Sequence, residues 1–242
     1  PITYGRNISG LYKIAKRVPE VNIIASTGFY LAETFTNKFI KMNTRRLAEI
    51  MIKELTEGIE DTSCKAGVIK VAVGYFRIHP LERRALEAAA IAYRETGAPI
   101  QIHTTFGTMS IEIVNILKGL GVDPHKILLL HMDTNLDTWN MIKTLEKEVN
   151  ISFDRMARIR RYVSEEMKLT YFEKLINEGF EDQLMMSMDA GRRIYFKAYG
   201  GGPGLEYIPT VIIPRLRAMG IEEKTIEKIF IQNPSRFLGF IS

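Results

Sequence analysis

Residues 66–103, AGVIKVAVGYFRIHPLERRALEAAAIAYRETGAPIQIH, hold two apolar runs on either side of a segment with helical periodicity. The first run, Gly67–Val73, is rich in β-branched residues, and the second run is Pro99–His103. Between them, Pro80 suits the first position of a helix over Leu81–Thr96, which Gly97 would end. Two such strands joined by a helix form a βαβ unit, in which the strands are parallel.

The same alternation of short apolar runs and helical segments extends over most of the chain. It predicts a parallel sheet that helices cover. The predicted strands are Val21–Ser26, Gly67–Val73, Pro99–His103, Lys126–His131, Asn150–Phe153 and Gln183–Ser187. An α/β chain of this kind forms either a doubly wound sheet or a (β/α)8 barrel. The glycine-rich run 200–204 lacks the Lys-Ser/Thr of a phosphate-binding loop, which disfavours a nucleotide-binding doubly wound fold.

The composition excludes several classes of protein. The chain has 242 residues, of which 46% are hydrophobic and 25% charged, and this composition is typical of a globular domain. Its basic residues are scattered among acidic ones, so no nucleic-acid partner is expected. No apolar run reaches the roughly 18 residues of a membrane span. The single cysteine favours a reducing compartment. We therefore expect one cytoplasmic domain over residues 1–242 that acts on a small molecule.

Four predicted strands carry a polar side chain at or near their C-terminal ends, namely Lys70, His103, His131 and Asp189. In parallel α/β folds, these ends form the rim at which active sites lie. A buried lysine needs an explanation, because an unpaired ammonium is costly to bury. Lys70 could form a Schiff base, lie in an ion pair, or carry a modification that makes its nitrogen a metal-binding group. Two histidines and a carboxylate nearby favour a site for Zn²⁺ or a similar ion.

Several segments, in order along the chain, resemble the phosphotriesterase family of the amidohydrolase superfamily. They are Ala25–Tyr30, Gly58–Thr62, Ala66–Ala72, Gly97–Thr104, Leu130–Asp133, Ser187–Asp189 and Asn233–Phe237. The resemblance implies a (β/α)8 TIM barrel with a binuclear centre of two divalent metal ions, usually zinc. It also implies that Val21–Ser26 is the third strand of the family's barrel. We therefore expect that the first two strands are absent and that the chain is N-terminally incomplete.

The resemblance also implies a role for each polar rim residue. Lys70 would be the carboxylated lysine, whose carbamate bridges both ions. His103 and His131 would hold one ion. Asp189 would bind the other ion and would act as the catalytic group that takes the proton of the bridging hydroxide as it attacks. The ions would lower the pKa of that water and polarise the substrate oxygen.

One part of the family's metal centre has no counterpart in the sequence. The family carries a His-x-His pair on its first strand, and these two histidines complete the ligands of the ion that Asp189 would share. The chain has four histidines, of which His79 precedes a helix and His125 lies in a loop before a strand. Neither is expected to replace that pair.

The loops indicate the substrate class, because they are basic and aromatic. The pattern Asp-x-x-Arg-x-x-Tyr, formed by Asp189, Arg192 and Tyr195, is similar to the branch of the family that acts on phosphorylated sugar lactones. In that branch a basic residue of the preceding loop completes the phosphate clamp, and Arg161 is at the matching position. Arginine and tyrosine provide several donors for phosphate.

We therefore expect a lactonase for phosphorylated sugar lactones, with Arg161, Arg192 and Tyr195 binding the substrate. The alternatives are a general phosphotriesterase or acyl-homoserine lactone lactonase, and a non-catalytic protein if the chain is complete. Neither nucleic acid nor a membrane is an expected partner, and a homodimer is among the assemblies open to it.

Overall fold

The six strands of the sheet are short, parallel and ordered as they occur in the chain. The computed structural model describes residues 1–158 and 163–239. The strands are β1 (Ser26–Thr27), β2 (Val68–Val73), β3 (Ile100–Thr104), β4 (Ile127–Leu130), β5 (Asn150–Phe153) and β6 (Leu184–Met186). In the described part of the chain, β1 and β6 are the two outer strands. The predicted parallel α/β fold is confirmed.

Helices connect the strands and cover the sheet. They are α1 (Ile8–Arg17), α2 (Asn37–Ile40), α3 (Thr44–Thr56), α4 (Pro80–Thr96), α5 (Ser110–Gly119), α6 (Thr138–Leu145), α7 (Glu165–Asn177), α8 (Ile213–Ala218), α9 (Glu223–Glu227) and α10 (Asn233–Leu238). Two π-helical turns, Ile208–Ile212 and Lys228–Gln232, lead into α8 and α10. Within the described ranges, no helix is long and apolar enough to cross a bilayer.

Helix α4 shows how the sequence defines an element beside the site. His79 and Glu82 form a capping box at its start, and Pro80 takes the first turn, where a missing N–H costs nothing. Gly97 ends the helix with a φ of 71°, a left-handed conformation that suits glycine. The buried face of α4 consists largely of alanines, so the helix packs closely on α3 and β2.

The two faces of the sheet differ, because successive residues of a strand point to opposite sides. Ile69 and Val71 of β2 are fully buried in the main core, on the face that the helices cover. Lys70 alternates with them and lies on the other face, together with His103. That inner face also carries a small apolar cluster of Leu128, Met185 and Phe237, the last of which belongs to α10. The polar rim therefore lies above an apolar floor.

The N-terminal part differs from the prediction. The strand predicted over Val21–Ser26 is wrong except at Ser26, because β1 pairs with β2 only through Ser26 and Thr27. Val21 and Ile24 are 55% and 45% exposed, so the segment gains neither the burial nor the ladder of a strand. Helix α1 was not predicted, although Asn7 caps it by accepting a hydrogen bond from the amide of Gly10 at 2.8 Å.

Candidate active site

The C-terminal ends of the strands bring the four predicted polar residues to one rim. Lys70 lies in β2 and His103 in β3, whereas His131 follows β4 directly and Asp189 follows β6 after two residues. The imidazole rings of His103 and His131 have centroids 4.6 Å apart. Lys70 and Asp189 are both close enough for their charges to act on the pKa of His131. The structure thus collects residues from four strands into one cluster.

The two imidazoles are buried and uncharged. His103 is 8% exposed and His131 is 5% exposed. Burial lowers the pKa of each ring to about 2, and neighbouring cationic groups act in the same direction. The hydroxyl of Tyr30 lies 2.9 Å from Nδ1 of His103, and that of Thr105 lies 3.3 Å from its Nε2. Neutral imidazole is the form that binds a metal ion.

Asp154 is a site residue that the sequence reasoning did not single out. It follows β5 directly, is 3% exposed, and its Oδ1 lies 2.6 Å from Nδ1 of His131. Both of its carboxylate oxygens also accept the backbone N–H of His131 at 3.1 Å. These contacts hold His131 in a left-handed conformation with a φ of 65°. A carboxylate that accepts the Nδ1 proton leaves Nε2 available as a ligand.

The pKa of the Lys70 ammonium is well below the usual value for lysine. Burial lowers the pKa of its ammonium to about 8, and the charges of Asp154 and Asp189 oppose this shift only partly. At neutral pH the lysine therefore holds an accessible fraction of free amine, which is the form that reacts with carbon dioxide to give a carbamate. Such a carbamate would replace the cation with an anionic oxygen ligand.

Asp189 lies at the edge of the cluster, where two arginines hold it. Its side chain is 38% exposed, and Oδ2 lies 2.8 Å from Nη2 of Arg158 and 3.4 Å from Nη1 of Arg155. Arg158 also donates to the backbone carbonyl of Asp189. The guanidinium of Arg155 reaches further, with Nε 3.1 Å from Nδ1 of His131. Two largely buried cations therefore border the histidine pair on the side of Asp189.

The predicted substrate residues have different surroundings. Tyr195 contacts the cluster, because the guanidinium carbon of Arg158 lies 4.7 Å from the centroid of its ring. Arg192 is exposed, and its backbone carbonyl accepts the N–H of Tyr195 at 3.0 Å. Arg161 lies outside the described residues. Arg158 is thus an arginine that contacts both Tyr195 and Asp189, whereas the prediction named Arg161 and Arg192.

Comparison with known proteins identifies the family. The model of the phosphotriesterase family matches residues 1–238, which is nearly the whole chain. The chain belongs to the phosphotriesterase family. This membership makes it a hydrolase that acts on ester bonds, and the predicted resemblance is confirmed.

Relatives of this family member share its fold over most of their length. The phosphotriesterase homology protein of Escherichia coli is 32% identical, over 96% of this chain and 79% of its own. Its structure, which contains phosphate in the active site, superimposes with a TM-score of 0.93. A phospho-furanose lactonase of Mycoplasmopsis synoviae is 31% identical, over 99% of this chain and 74% of its own. A lactonase structure from Listeria monocytogenes is 33% identical, with a TM-score of 0.93, over 99% of this chain and 79% of its own.

Members of this family are binuclear metal hydrolases, and the rim residues fit part of such a centre. No group of three or more His, Cys, Asp or Glu side chains in the described ranges is placed to hold a metal ion. This agrees with the chemistry of the donors, because Lys70 becomes a ligand only after carboxylation. With that change, His103, His131 and Lys70 form a donor set suited to one zinc ion. Asp189 adds a carboxylate at the edge of the same cluster.

The other two histidines have different surroundings. Nδ1 of His79 accepts the amide of Leu81 at 3.1 Å in the cap of α4. His125 lies in the turn before β4, at the opposite end of the strand from His131. The family's His-x-His pair therefore has no counterpart in the described residues.

Proposed function

We propose that this chain is a single-domain, metal-dependent lactonase that opens phosphorylated sugar lactones. The observation that carries the proposal is the cluster at the C-terminal rim. There a lysine and two neutral histidines lie beside an aspartate that two arginines contact. The lysine and the two histidines have the chemistry of a metal centre. The two arginines have the chemistry of a site for an anionic substrate.

Two divalent metal ions, most simply zinc, are the proposed cofactors. His103, His131 and carboxylated Lys70 would hold one ion, and Asp189 with the same lysine would contribute to the other. When bound, such ions supply Lewis acidity that lowers the pKa of water and polarises the lactone carbonyl. Asp154 would keep Nδ1 of His131 protonated, so that Nε2 is the ligating atom.

Asp189 is the proposed proton acceptor of the reaction. Lactone hydrolysis forms a bond between a water oxygen and the carbonyl carbon, and it breaks the bond from that carbon to the ring oxygen. The water loses a proton and the departing ring oxygen gains one, so a single carboxylate can take the first and return the second. Arg155, which bridges Asp189 and His131, would keep the carboxylate oriented towards the cluster.

Arg158 and Tyr195 are the described residues best suited to the phosphate of the substrate. The side chain of Arg158 is 9% exposed, and its buried Nε has no hydrogen-bond partner among the described residues. A guanidinium and a phenol side by side offer several donors to one phosphate. Arg192 and Arg161 stay predicted members of the same clamp. The names of the lactonase relatives support this substrate class.

The test compares one sugar lactone with and without its phosphate, using zinc-loaded protein. We expect Arg158→Met to raise the KM for the phosphorylated lactone about tenfold or more relative to the KM for the unphosphorylated compound. An effect on kcat through Asp189, which Arg158 also contacts, should be the same for both substrates. Arg46→Met is the matched control, because Arg46 is exposed on α3, where it pairs with Glu49 at 2.9 Å. Equal turnover of both lactones by the wild type would refute the phosphate clamp. Faster turnover of a neutral phosphotriester would favour a general phosphotriesterase instead.

Two further properties stay predictions. We propose a homodimer, which light scattering of the purified protein tests. The single cysteine, Cys64, fits a cytoplasmic location, because proteins of oxidising compartments commonly rely on disulfides. Fractionation of cells that express the protein tests the location.

A further inference from the structure

Two charged side chains are buried beside the cluster and take no part in the proposed reaction. The side chains of Asp133, which follows β4, and Lys168, in α7, are 0% and 2% exposed. Their charged groups lie 3.1 Å apart, between Nζ and Oδ2. Removing two charges from water is costly, and a buried ion pair is weak evidence for a gain in stability. The pair therefore calls for another explanation.

Both charged groups bind the backbone of the same residue, Arg155. Oδ2 of Asp133 accepts the N–H of Arg155 at 2.9 Å, and Nζ of Lys168 donates to its carbonyl at 2.7 Å. One turn earlier in α7, Glu165 accepts the N–H of Ala157 at 2.9 Å. The loop that follows β5 is thus fixed at both polar groups of Arg155 and again two residues later.

The side chain of Arg155 extends from this fixed backbone into the reaction centre. Its guanidinium lies between Nδ1 of His131 and Oδ2 of Asp189, at 3.1 and 3.4 Å. Only 12% of that side chain is exposed. A small displacement of a positioned group can cost a large factor in rate, because catalysis depends on orientation. The pair of buried charges is therefore in a position to control the reaction without touching the substrate.

We propose that Asp133 and Lys168 are a positioning pair, which sets the guanidinium of Arg155 against His131 and Asp189. The proposal rests on the proposed function, in which these residues form the reaction centre. Its effect is expected in kcat rather than in KM, because the pair binds the backbone of Arg155, whereas the phosphate clamp is assigned to Arg158 and Tyr195. A purely structural role, in which the pair only attaches α7 to the end of β4, predicts a loss of stability instead.

The experiment separates these roles with two substitutions of one residue. Lys168→Met removes the donor to the carbonyl of Arg155, whereas Lys168→Gln keeps an N–H donor without the charge. We expect kcat to fall about tenfold or more in the first variant and less than about threefold in the second, with KM nearly unchanged in both. Lys174→Met is the matched control, because Lys174 is exposed on the same helix. Equal losses in the two Lys168 variants would overturn the proposal.

A double-mutant cycle tests whether Lys168 acts through Arg155. In an Arg155→Met background, Lys168→Met should change kcat less than about twofold, because the side chain that it positions is gone. An undiminished loss in that background would overturn the proposal in favour of the structural role.

A spectroscopic measurement gives a readout that does not depend on activity, and its wild-type value does not depend on the folding of Lys168→Met. The Nε–Hε NMR signal of Arg155, assigned by its loss in Arg155→Lys, should show the relaxation of an ordered group in the wild type. It should shift towards that of a mobile arginine in Lys168→Met. A mobile signal in the wild type itself would overturn the proposal. Absence of lactonase activity in the wild type would refute the proposed function and leave this measurement valid.

Discussion

Replacement of Asp154 by asparagine tests the support of the metal centre. Oδ1 of Asp154 lies 2.6 Å from Nδ1 of His131, and with the proton on Nδ1 this contact is a charge-assisted hydrogen bond worth about 1.5–3 kcal/mol. An asparagine of the same shape can still accept the backbone N–H of His131, but it provides only a neutral acceptor, and its amide nitrogen cannot accept the Nδ1 proton. We therefore expect a loss of about 2 kcal/mol in zinc binding, which corresponds to about thirtyfold weaker affinity.

The assay is competition between Asp154→Asn and a zinc-binding dye, with the Tm of the metal-free protein as a second readout. The Tm of the metal-free protein should fall by a few degrees only, because the hydrogen bond to Nδ1 is present without the metal but the amide fills the same space. Asp137→Asn is the matched control, since Asp137 is exposed at the start of α6 and asparagine caps a helix equally well. Zinc affinity within twofold of the wild type would show that His131 does not need Asp154, and the reasoning would fail.

Three further substitutions test the rim and the sheet edge beside it. Lys70→Ala should lower the zinc content, measured by elemental analysis, to less than about half of the wild-type value, and an unchanged content would exclude Lys70 as a ligand. Arg6→Met should reduce the free energy of unfolding in urea by about 3–5 kcal/mol, because it leaves buried Glu54 without the guanidinium that binds it at 2.6 Å; a change below about 1 kcal/mol would contradict this. Gly28→Ala should destabilise by more than about 1 kcal/mol, because Gly28 has a φ of 101° and a Cβ there would lie 2.1 Å from the carbonyl oxygen of Lys70. The control Gly119→Ala, with nothing within 4 Å of the added Cβ, should not destabilise, and equal losses would refute the steric argument.

The fold was predictable where burial determines the pattern. The run Asn150–Phe153 was predicted with the bounds that the structure has, because all four residues are buried in a strand with neighbours on both sides. The prediction was wrong over most of Val21–Ser26, where apolar residues are exposed beside a two-residue outer strand. An apolar run predicts a strand only if a partner is present, and the sequence does not show where the sheet has its edge.

The site was predictable where a polar residue interrupts or ends an apolar run. Lys70 and His103 stand out for that reason, and the structure brings them together with His131. Asp154 was missed although it follows β5 as directly as His131 follows β4, so the same rule applied to every strand would have found it. The contacts of Arg155 and Arg158 with Asp189 depend on how two loops meet, which no spacing in the sequence specifies.

The backbone itself marks the functional face of the sheet. Eight non-glycine residues in the described ranges have a positive φ, and six of them, Phe76, Phe106, Met109, His131, Ala157 and Asp189, lie in segments that follow the C-terminal end of a strand. Left-handed backbone is unfavourable for such residues and persists only where surrounding contacts impose it. His131 is held by Asp154, and Ala157 by Glu165, so the contacts that impose the strain are those that orient the site. The strained residues are therefore concentrated in the segments that follow the C-terminal ends of the strands, and this distribution agrees with an active site at that rim.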